Sequence, residues 1–326
     1  MPVLDSLHCS FLELRRVHLV RDLKHFFFPS FRSSLYPTCW KAKFQGKLRQ
    51  LTKMGHEVKL MPGEFVKAFN IRNKNDAADA RAIWLAVQQP GKPVAVKTEM
   101  QQAMLGLHRM RLQLLKFRTM QINSLRGLLT EYGEVMSKGR SKLDKEIPVV
   151  LERLAERLPA VIIDTFREQW SGLAKLDEQV AQIERRMREW KKEDKSVKAI
   201  GEIPGVGLLT ATAAVAMMGD PKAFSSGREF AAWVGIVPRQ TGSGGKVNLH
   251  AISKKGDTYL RTLLIHGARS VLEHTKEPGE WIGQMKKRRP KNVVVVALAN
   301  KMARTIWAVL AHDQPYRKDH ISVKPA

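Results

Sequence analysis

Two carboxylates with a spacing suited to a shared cation occur at Asp76 and Asp79. Residues three apart lie on one face of a helix, and Asp76 follows a polar loop where a helix is expected to begin. Mg²⁺ is often held by one or two carboxylates together with phosphate oxygens, so this pair could bind it. The alternative is that acids in a first helical turn only offset the helix dipole. Spacing alone leaves both interpretations open.

A second candidate for chemistry is Ser243, which lies between Gly242 and Gly244. Small neighbours would let a phosphodiester approach its hydroxyl closely. A serine nucleophile needs a base or metal to activate it and cations to stabilise the charge that develops at phosphorus. The alternative is a flexible linker serine. The nearby cations are Lys246, Lys254 and Lys255.

Two further segments could bind nucleic acid without reading its sequence. Gly205 and Gly207, in the segment Ile203–Gly207, resemble the hairpin of helix-hairpin-helix modules, whose backbone N–H groups approach a phosphate. The alternative is an ordinary glycine-rich corner between two helices. The basic run could be a solvated surface or a phosphate-binding surface, and its members are Lys286, Lys287, Arg288 and Arg289.

The overall charge indicates an extended polyanion as partner. Lys and Arg total 56 against 31 Asp and Glu, which gives a net charge of +25 over 326 residues and a pI near 10.2. No apolar stretch reaches the ~20 residues that span a bilayer, so we expect no integral membrane protein. Cys9 and Cys39 are too few for a disulfide scaffold or a zinc quartet. We therefore expect a cytoplasmic protein that binds DNA or RNA, although composition alone leaves an acidic membrane surface as an alternative partner.

Several segments predict the elements that would carry these residues. Residues 1–46 lack a regular period and are expected to be irregular. A helix is predicted to end at Gly55, and the alternating segment His56–Met61 predicts a short strand. The helix opened by Asp76 has an apolar stripe, formed by Ile83, Trp84 and Val87.

Residues 97–195 are predicted to be almost wholly helical, with long amphipathic stretches at Gln101–Tyr132 and Ile162–Trp190. In the second stretch, apolar residues alternate in steps of three and four, which is typical of a coiled coil. We expect an antiparallel or intermolecular coiled coil here. The residues of this seam are Leu173, Leu176, Val180, Ile183 and Met187.

Taken in order, these segments resemble the transposases of the insertion-sequence-110 family, closest to its 1111 subgroup. The resemblance covers about residues 48–318. The segments that carry it are Asn73–Ala80, the helical region, Ile203–Gly207, Phe230–Arg239, Ser243–Gly245, Ile252–Asp257 and Leu260–Arg261.

The resemblance implies an α+β, mainly helical fold. It comprises a partial ribonuclease H-like, resolvase-type N-terminal domain, a long helical coiled coil and an all-α C-terminal transposase domain with a helix-hairpin-helix-like motif. The segments expected are 1–46, divergent; 47–96, the ribonuclease H-like remnant; 97–195, the coiled coil; 196–318, the transposase domain; and 319–326, a tail.

The resemblance also implies a function, namely metal-dependent cleavage and rejoining of DNA strands for an insertion sequence. By family resemblance, Asp76 and Asp79 match the last two of four acids that bind Mg²⁺, and Ser243 matches the serine that acts in cleavage. A structured guide RNA and homo-oligomerisation through the coiled coil are implied as well.

The first two acids of the family pattern have no counterpart in this sequence. The expected Glu falls near Cys39, and no Asp in a recognisable strand precedes it. A second interpretation is therefore a catalytically impaired, nucleic-acid-binding oligomer derived from such a transposase.

Overall fold

Helices dominate the part of the chain described by the structure, a computed structural model in which residues 37–70, 75–276 and 279–317 are described. Strands β1 (Pro238–Ser243) and β2 (Lys246–Ile252) form a small antiparallel sheet, which agrees with a mainly helical α+β class. The helices are α1 Pro37–Lys53, α2 Gly63–Lys67, α3 Asp76–Val87, α4 Glu99–Glu131, α5 Arg140–Ala155, α6 Ala160–Glu193, α7 Lys195–Ile200, α8 Leu208–Met218, α9 Gly227–Val234, α10 Thr258–His274, α11 Glu280–Arg288 and α12 Lys291–His312.

Packing divides the chain into two units. Unit 1 combines the described residues up to 102 with residues 218–258, and unit 2 combines residues 103–217 with the described residues from 259 onward. Both units therefore draw on two separate parts of the sequence. The consecutive segments expected from the sequence stay a prediction.

Helix α1 occupies part of the segment that was expected to be irregular. The prediction is wrong for residues 37–46, which are helical, whereas residues 1–36 lie outside the described residues. Pro37 opens the helix, where its missing N–H is no loss. The helix ends as predicted at Gly55, whose φ of 88° is the left-handed conformation, and the N–H of His56 donates to the carbonyl of Leu51 at 3.1 Å.

The predicted strand at His56–Met61 is wrong, although its alternation is present. Val58 and Leu60 are half-buried, while Glu57 and Lys59 are exposed. Within the described residues, its pairing is a single bridge in which the N–H of Val94 donates to the carbonyl of Leu60 at 2.7 Å. An extended segment needs a continuous partner to become a strand, and one bridge does not supply it.

The C-terminal region is not all-α, because β1 and β2 form a hairpin within it. Gly244 and Gly245 connect the strands with φ values of 56° and 78°. Two positive φ values in a two-residue loop define a turn whose twist matches that of the paired strands, and glycine adopts them without strain. This hairpin was not predicted, because the glycines around Ser243 were considered only for the access that they give to its hydroxyl.

Helix α9, which leads into the hairpin, is fixed at both ends. Its N-cap Ser226 accepts a hydrogen bond from the N–H of Glu229, and Gly235 ends it with a φ of 81°. The side-chain hydrogen bond from Lys92, followed by those from Ser225, lowers the pKa of Glu229 to about 2. The charged carboxylate therefore ties the start of α9 to the segment that follows α3.

Helices α4, α5 and α6 share one hydrophobic core in unit 2. Fully buried side chains include Leu129 of α4, Leu143 and Ile147 of α5, and Phe166 of α6. Pro148 lies inside helix α5. Burial of apolar surface on all three helices at ~25 cal/mol per Å² supplies the main stabilisation of this core.

The seam predicted for a coiled coil lies inside the chain. Leu173 and Met187 are fully buried, and Leu176 is half-buried. Arg111 and Arg118 of α4 form ion pairs with α6, to Glu184 at 2.8 Å and to Asp177 at 2.6 Å. The later residue of α4, Arg118, pairs with the earlier residue of α6, Asp177, so the two helices run antiparallel within one chain.

Elsewhere in unit 2, Gly205, in the loop between α7 and α8, makes a close backbone contact with Gly267 of α10. A Cβ at Gly267 would lie 2.1 Å from the carbonyl oxygen of Gly205, so only glycine fits there. Of the described helices, α12 alone has the length and apolar composition of a membrane span. Its buried residues, among them Val294, Leu298 and Met302, form one face, as in a core helix.

Candidate functional site

The first turn of α3 brings the two predicted carboxylates together on one helix. The side chain of Asn75 caps the helix by accepting a hydrogen bond from the N–H of Ala78 at 2.7 Å. Asp76 is exposed and Asp79 is half-buried. The amide of Asn70 donates to Oδ1 of Asp79 at 2.7 Å, which fixes the direction of that carboxylate.

The buried face of α3 differs from the predicted apolar stripe. Ala82 and Ala86 are buried, whereas Trp84 is 53% exposed and Val87 is 45% exposed. Asp79 is half-buried on the side of the helix that carries Ala82 and Ala86, three and seven residues further on. Small alanines let this face approach its neighbours closely, which places Asp79 at the edge of the packed surface and Asp76 toward solvent.

The donor set at the start of α3 suits Mg²⁺. It offers carboxylate oxygens from Asp76 and Asp79, and the amide oxygen of Asn70 is buried without a hydrogen-bond partner. Hard oxygen donors of this kind, completed by phosphate oxygens, are the usual surroundings of protein-bound Mg²⁺. No group of three or more His, Cys, Asp and Glu suited to a metal occurs within residues 37–70, 75–276 and 279–317. The residues present therefore fit a half-site that a phosphate ligand would complete.

Ser243 occupies the last position of β1, directly before the Gly244–Gly245 turn. It is exposed and pairs in the ladder with Lys246, the first residue of β2. Paired residues across antiparallel strands project from the same face of the sheet. The structure thus gives Ser243 an accessible hydroxyl with a cation on the same face, as a nucleophile toward phosphate requires.

The remaining predicted cations are all exposed and fall into two groups. Lys246, Lys254 and Lys255 lie in unit 1, in or directly after the hairpin, and Lys254 adopts a φ of 55°. The run 286–289 lies in unit 2 at the end of α11, where cations complement the negative end of the helix dipole. Exposure of every member is what a phosphate-binding surface needs.

The two glycines of the predicted phosphate hairpin have different environments. Gly205 has a φ of 84°, and a Cβ there would lie 2.8 Å from the carbonyl oxygen of Gly267, so packing explains this glycine. Gly207 is exposed with open space around it, directly before α8. The predicted helix-hairpin-helix-like contact stays a prediction, with Gly207 as its accessible member.

Sequence reasoning missed the residues that support these groups. Asn70 was not predicted, because nothing in its local pattern indicates the contact with Asp79. Arg239, Asn248 and His250 were missed because the hairpin was missed. Adjacent glycines followed by alternating Val247 and Leu249 are a signal that could have predicted it.

Comparison with known proteins identifies the family. Residues 197–280 match the family model described as transposase IS116/IS110/IS902 family. The chain is 41% identical to a probable family 20 transposase of Pseudomonas aeruginosa, over 82% of this chain and 81% of that protein. It is 38% identical to the transposase for insertion sequence element IS1111A of Coxiella burnetii, over 85% of this chain and 76% of the other. It is 36% identical to the transposase for insertion sequence element IS1328 of Yersinia enterocolitica, over 86% and 84%. These similarities span both structural units, and the chain therefore belongs to the IS116/IS110/IS902 family of insertion-sequence transposases.

Proposed function

We propose that this transposase cleaves and rejoins DNA strands with Ser243 as the nucleophile, and with Asp76 and Asp79 as ligands of Mg²⁺. The observation that carries the proposal is the exposed position of Ser243 at the tip of the hairpin, in the same unit as the two carboxylates. The carboxylate pair adds the oxygen donors that phosphoryl transfer uses.

The serine chemistry conserves the number of phosphodiester bonds. Oγ of Ser243 bonds to phosphorus, the bond from phosphorus to the leaving deoxyribose oxygen breaks, and the proton of Oγ ends on that oxygen. Lys246, on the same face as Ser243, is placed to offset the negative charge that develops at phosphorus. Bound Mg²⁺ would orient phosphate oxygens and stabilise the same charge. Rejoining is the reverse step with a different strand end.

Strand exchange with purified protein tests this assignment. The substrates are supercoiled plasmids that carry the joined ends of the element and its target, with the RNA transcribed from the element. Ser243→Ala and Asp79→Asn should each abolish product, because one removes the attacking oxygen and the other a charge needed for Mg²⁺. Ser171→Ala, at an exposed serine of α6, should keep wild-type activity. Full activity of Ser243→Ala contradicts the nucleophile assignment.

Binding to the polyanion itself is a separate part of the proposal. The net charge of +25 and the exposed cations near Ser243 and at 286–289 support DNA and a structured guide RNA as partners. Affinity for duplex DNA should fall steeply with salt, with a log–log slope of about −0.9 for each phosphate neutralised. Replacing all four residues of the 286–289 run by Gln should weaken binding equally for all sequences. A slope near zero contradicts nucleic acid as the partner.

A homo-oligomer is also proposed, but not through the seam of α6, which is covered within the chain. Helix α4 carries exposed apolar residues in the same helical region: Met110 is 48% exposed, Phe117 46% and Leu128 42%. Their spacing places them along one side of the helix, where a second copy could bury them. Phe117→Glu should lower the mass measured by light scattering toward that of one chain. An unchanged mass contradicts this surface.

The second candidate function is a nucleic-acid-binding oligomer that does not cleave. It is favoured by the sequence, in which the first two acids of the family pattern have no counterpart. Both functions predict salt-sensitive DNA binding. Strand cleavage that requires Mg²⁺ separates them, because the binding oligomer produces none.

A further inference from the structure

The hairpin Pro238–Ile252, called the ribbon below, is exposed along its whole length. Every residue from Pro238 to Ala251 is exposed, and Ile252 is half-buried. Two strands that bury neither face are marginally stable on their own. An element of this kind is typical of a surface that is completed by a partner.

The base of the ribbon is held firmly by the protein. The N–H of Ser253 donates to the carbonyl of Val237 at 2.8 Å, and the N–H of Lys254 donates to the carbonyl of Gly235 at 3.1 Å. Gly256 lies so close to α9 that a Cβ would be 1.9 Å from the carbonyl oxygen of Trp233. These backbone contacts fix the direction in which the ribbon projects.

The two faces of the ribbon differ in chemistry. The register pairs Thr241 with Asn248, and the side chain of Thr241 lies 2.6 Å from Nε2 of His250. Alternation along β1 adds Arg239 to this side, at the point where the register shifts between Pro238 and Gln240 and β2 carries one extra residue. The polar face therefore consists of Arg239, Thr241, Ser243, Lys246, Asn248 and His250.

The opposite face, called the apolar face, pairs Gly242 with Val247 and Gln240 with Leu249. Val247 is 64% exposed and Leu249 is 65% exposed. Two apolar side chains cover far less than the ~800 Å² that a stable protein interface buries on each partner. The polar face, by contrast, carries Arg239 and Lys246, and the ribbon contains no acidic residue. Charge complementarity therefore favours a nucleic acid on the polar face.

We propose that the polar face of the ribbon lies in the major groove of duplex DNA and presents Ser243, at the tip, to the phosphate backbone beside that groove. Strands ~4.8 Å apart with their side chains fit the ~12 Å major groove of B-form DNA, which admits a two-stranded ribbon. The major groove of A-form RNA is deep and too narrow for side chains to read. The inference rests on the proposed function in that DNA is the partner.

The test compares two double variants of the full chain. Arg239→Gln with Lys246→Gln changes the polar face, and Val247→Thr with Leu249→Thr changes the apolar face while keeping residues suited to strands. All four positions are exposed, so the helical circular dichroism spectrum should be unchanged in both. The probes are a DNA duplex and an RNA duplex of the same mixed sequence.

For the DNA duplex, the polar-face variant should bind about tenfold more weakly, with a salt slope reduced by about 2, because two phosphate contacts are lost. The apolar-face variant should bind within about twofold of wild type. Dimethyl sulfate methylates guanine N7 in the major groove, so wild-type protein should protect some guanines, and the polar-face variant should lose that protection at saturating protein.

Three outcomes overturn the inference. Guanine protection that persists in the polar-face variant places another element in the groove. Loss of DNA binding, or a change of oligomeric mass, in the apolar-face variant makes that face the docking surface. If the polar-face variant loses affinity for the RNA duplex by the same factor as for the DNA duplex, the ribbon does not bind in a groove that is specific to B-form DNA. Wild-type protein that binds no DNA refutes the proposed function instead, so the two failures are distinguishable.

Discussion

The buried histidine of unit 2 gives a sharp prediction about acid stability. His108 is 1% exposed; its Nδ1 lies 2.9 Å from the hydroxyl of Tyr259, and its Nε2 lies 3.0 Å from that of Thr212. The hydroxyl of Thr212 donates to the carbonyl of Leu208 at 2.8 Å, so it accepts from Nε2–H of His108. Nδ1 is then the acceptor for Tyr259, and the network is complete with a neutral ring.

Burial, followed by the charge of Arg111, lowers the pKa of His108 from its ordinary 6.5 to about 4. The folded state therefore binds fewer protons than the unfolded state between these values, so stability is complete above pH 6.5 and falls as the pH drops toward 4. Because of this difference in pKa, acidification from above pH 6.5 to pH 4 should lower the free energy of unfolding by about 3 kcal/mol.

The assay is urea unfolding of the full chain between pH 7 and pH 4, followed by circular dichroism, for wild type and His108→Gln. Other groups also titrate in this range, so the difference between the two proteins isolates His108. The variant should be less stable at neutral pH by about 1–3 kcal/mol, because the network is weakened, and should lose about 3 kcal/mol less on acidification. His266→Gln, at an exposed histidine of α10, should behave as wild type. Equal losses of stability on acidification in wild type and His108→Gln would show that protonation of His108 does not destabilise the fold.

Two further predictions concern local geometry. Gly267→Ala should lower the free energy of unfolding by about 2 kcal/mol, because its Cβ would lie 2.1 Å from the carbonyl oxygen of Gly205. The control is Gly106→Ala, at a helical glycine with open space around it, which should raise the free energy of unfolding by up to about 1 kcal/mol. Thermal unfolding measures both variants, and a Gly267→Ala variant as stable as wild type would contradict the close approach. Asn75→Ala should lower the free energy of unfolding, measured by urea unfolding, by about 1 kcal/mol, because it removes the cap on the N–H of Ala78. Asn75→Asp keeps a capping oxygen and should retain most of the wild-type stability. Equal stability of the two variants would contradict the capping role.

Local patterns predicted several helices and helix ends, although not the first half of α1. The period of apolar residues gave the extent of α6 closely, and Gly55 and Asp76 marked a helix end and a helix start because caps depend on adjacent residues alone. The strand at His56–Met61 failed for the opposite reason. A strand requires a partner from elsewhere in the chain, and no local pattern reports whether one is present.

The sequence named the candidate residues of the site but not the contacts around them. Asp76, Asp79 and Ser243 could be named from residue type, spacing and family resemblance. The contact of Asn70 with Asp79 and the polar face around Ser243 depend on backbone geometry that a residue list does not contain. The apolar stripe of α3 was misplaced because buried alanines, Ala82 and Ala86, carry a weaker hydrophobic signal than the exposed Trp84.

The capture of a covalent bond between the protein and DNA tests directly whether Ser243 is the nucleophile. A strand-exchange reaction in Mg²⁺ is stopped with denaturant, the DNA is digested, and the protein is mapped by peptide mass spectrometry. We expect a nucleotide attached to the peptide that contains Ser243, and no adduct with Ser243→Ala or when Mg²⁺ is chelated. An adduct on another residue, or strand exchange by Ser243→Ala, would contradict Ser243 as the nucleophile.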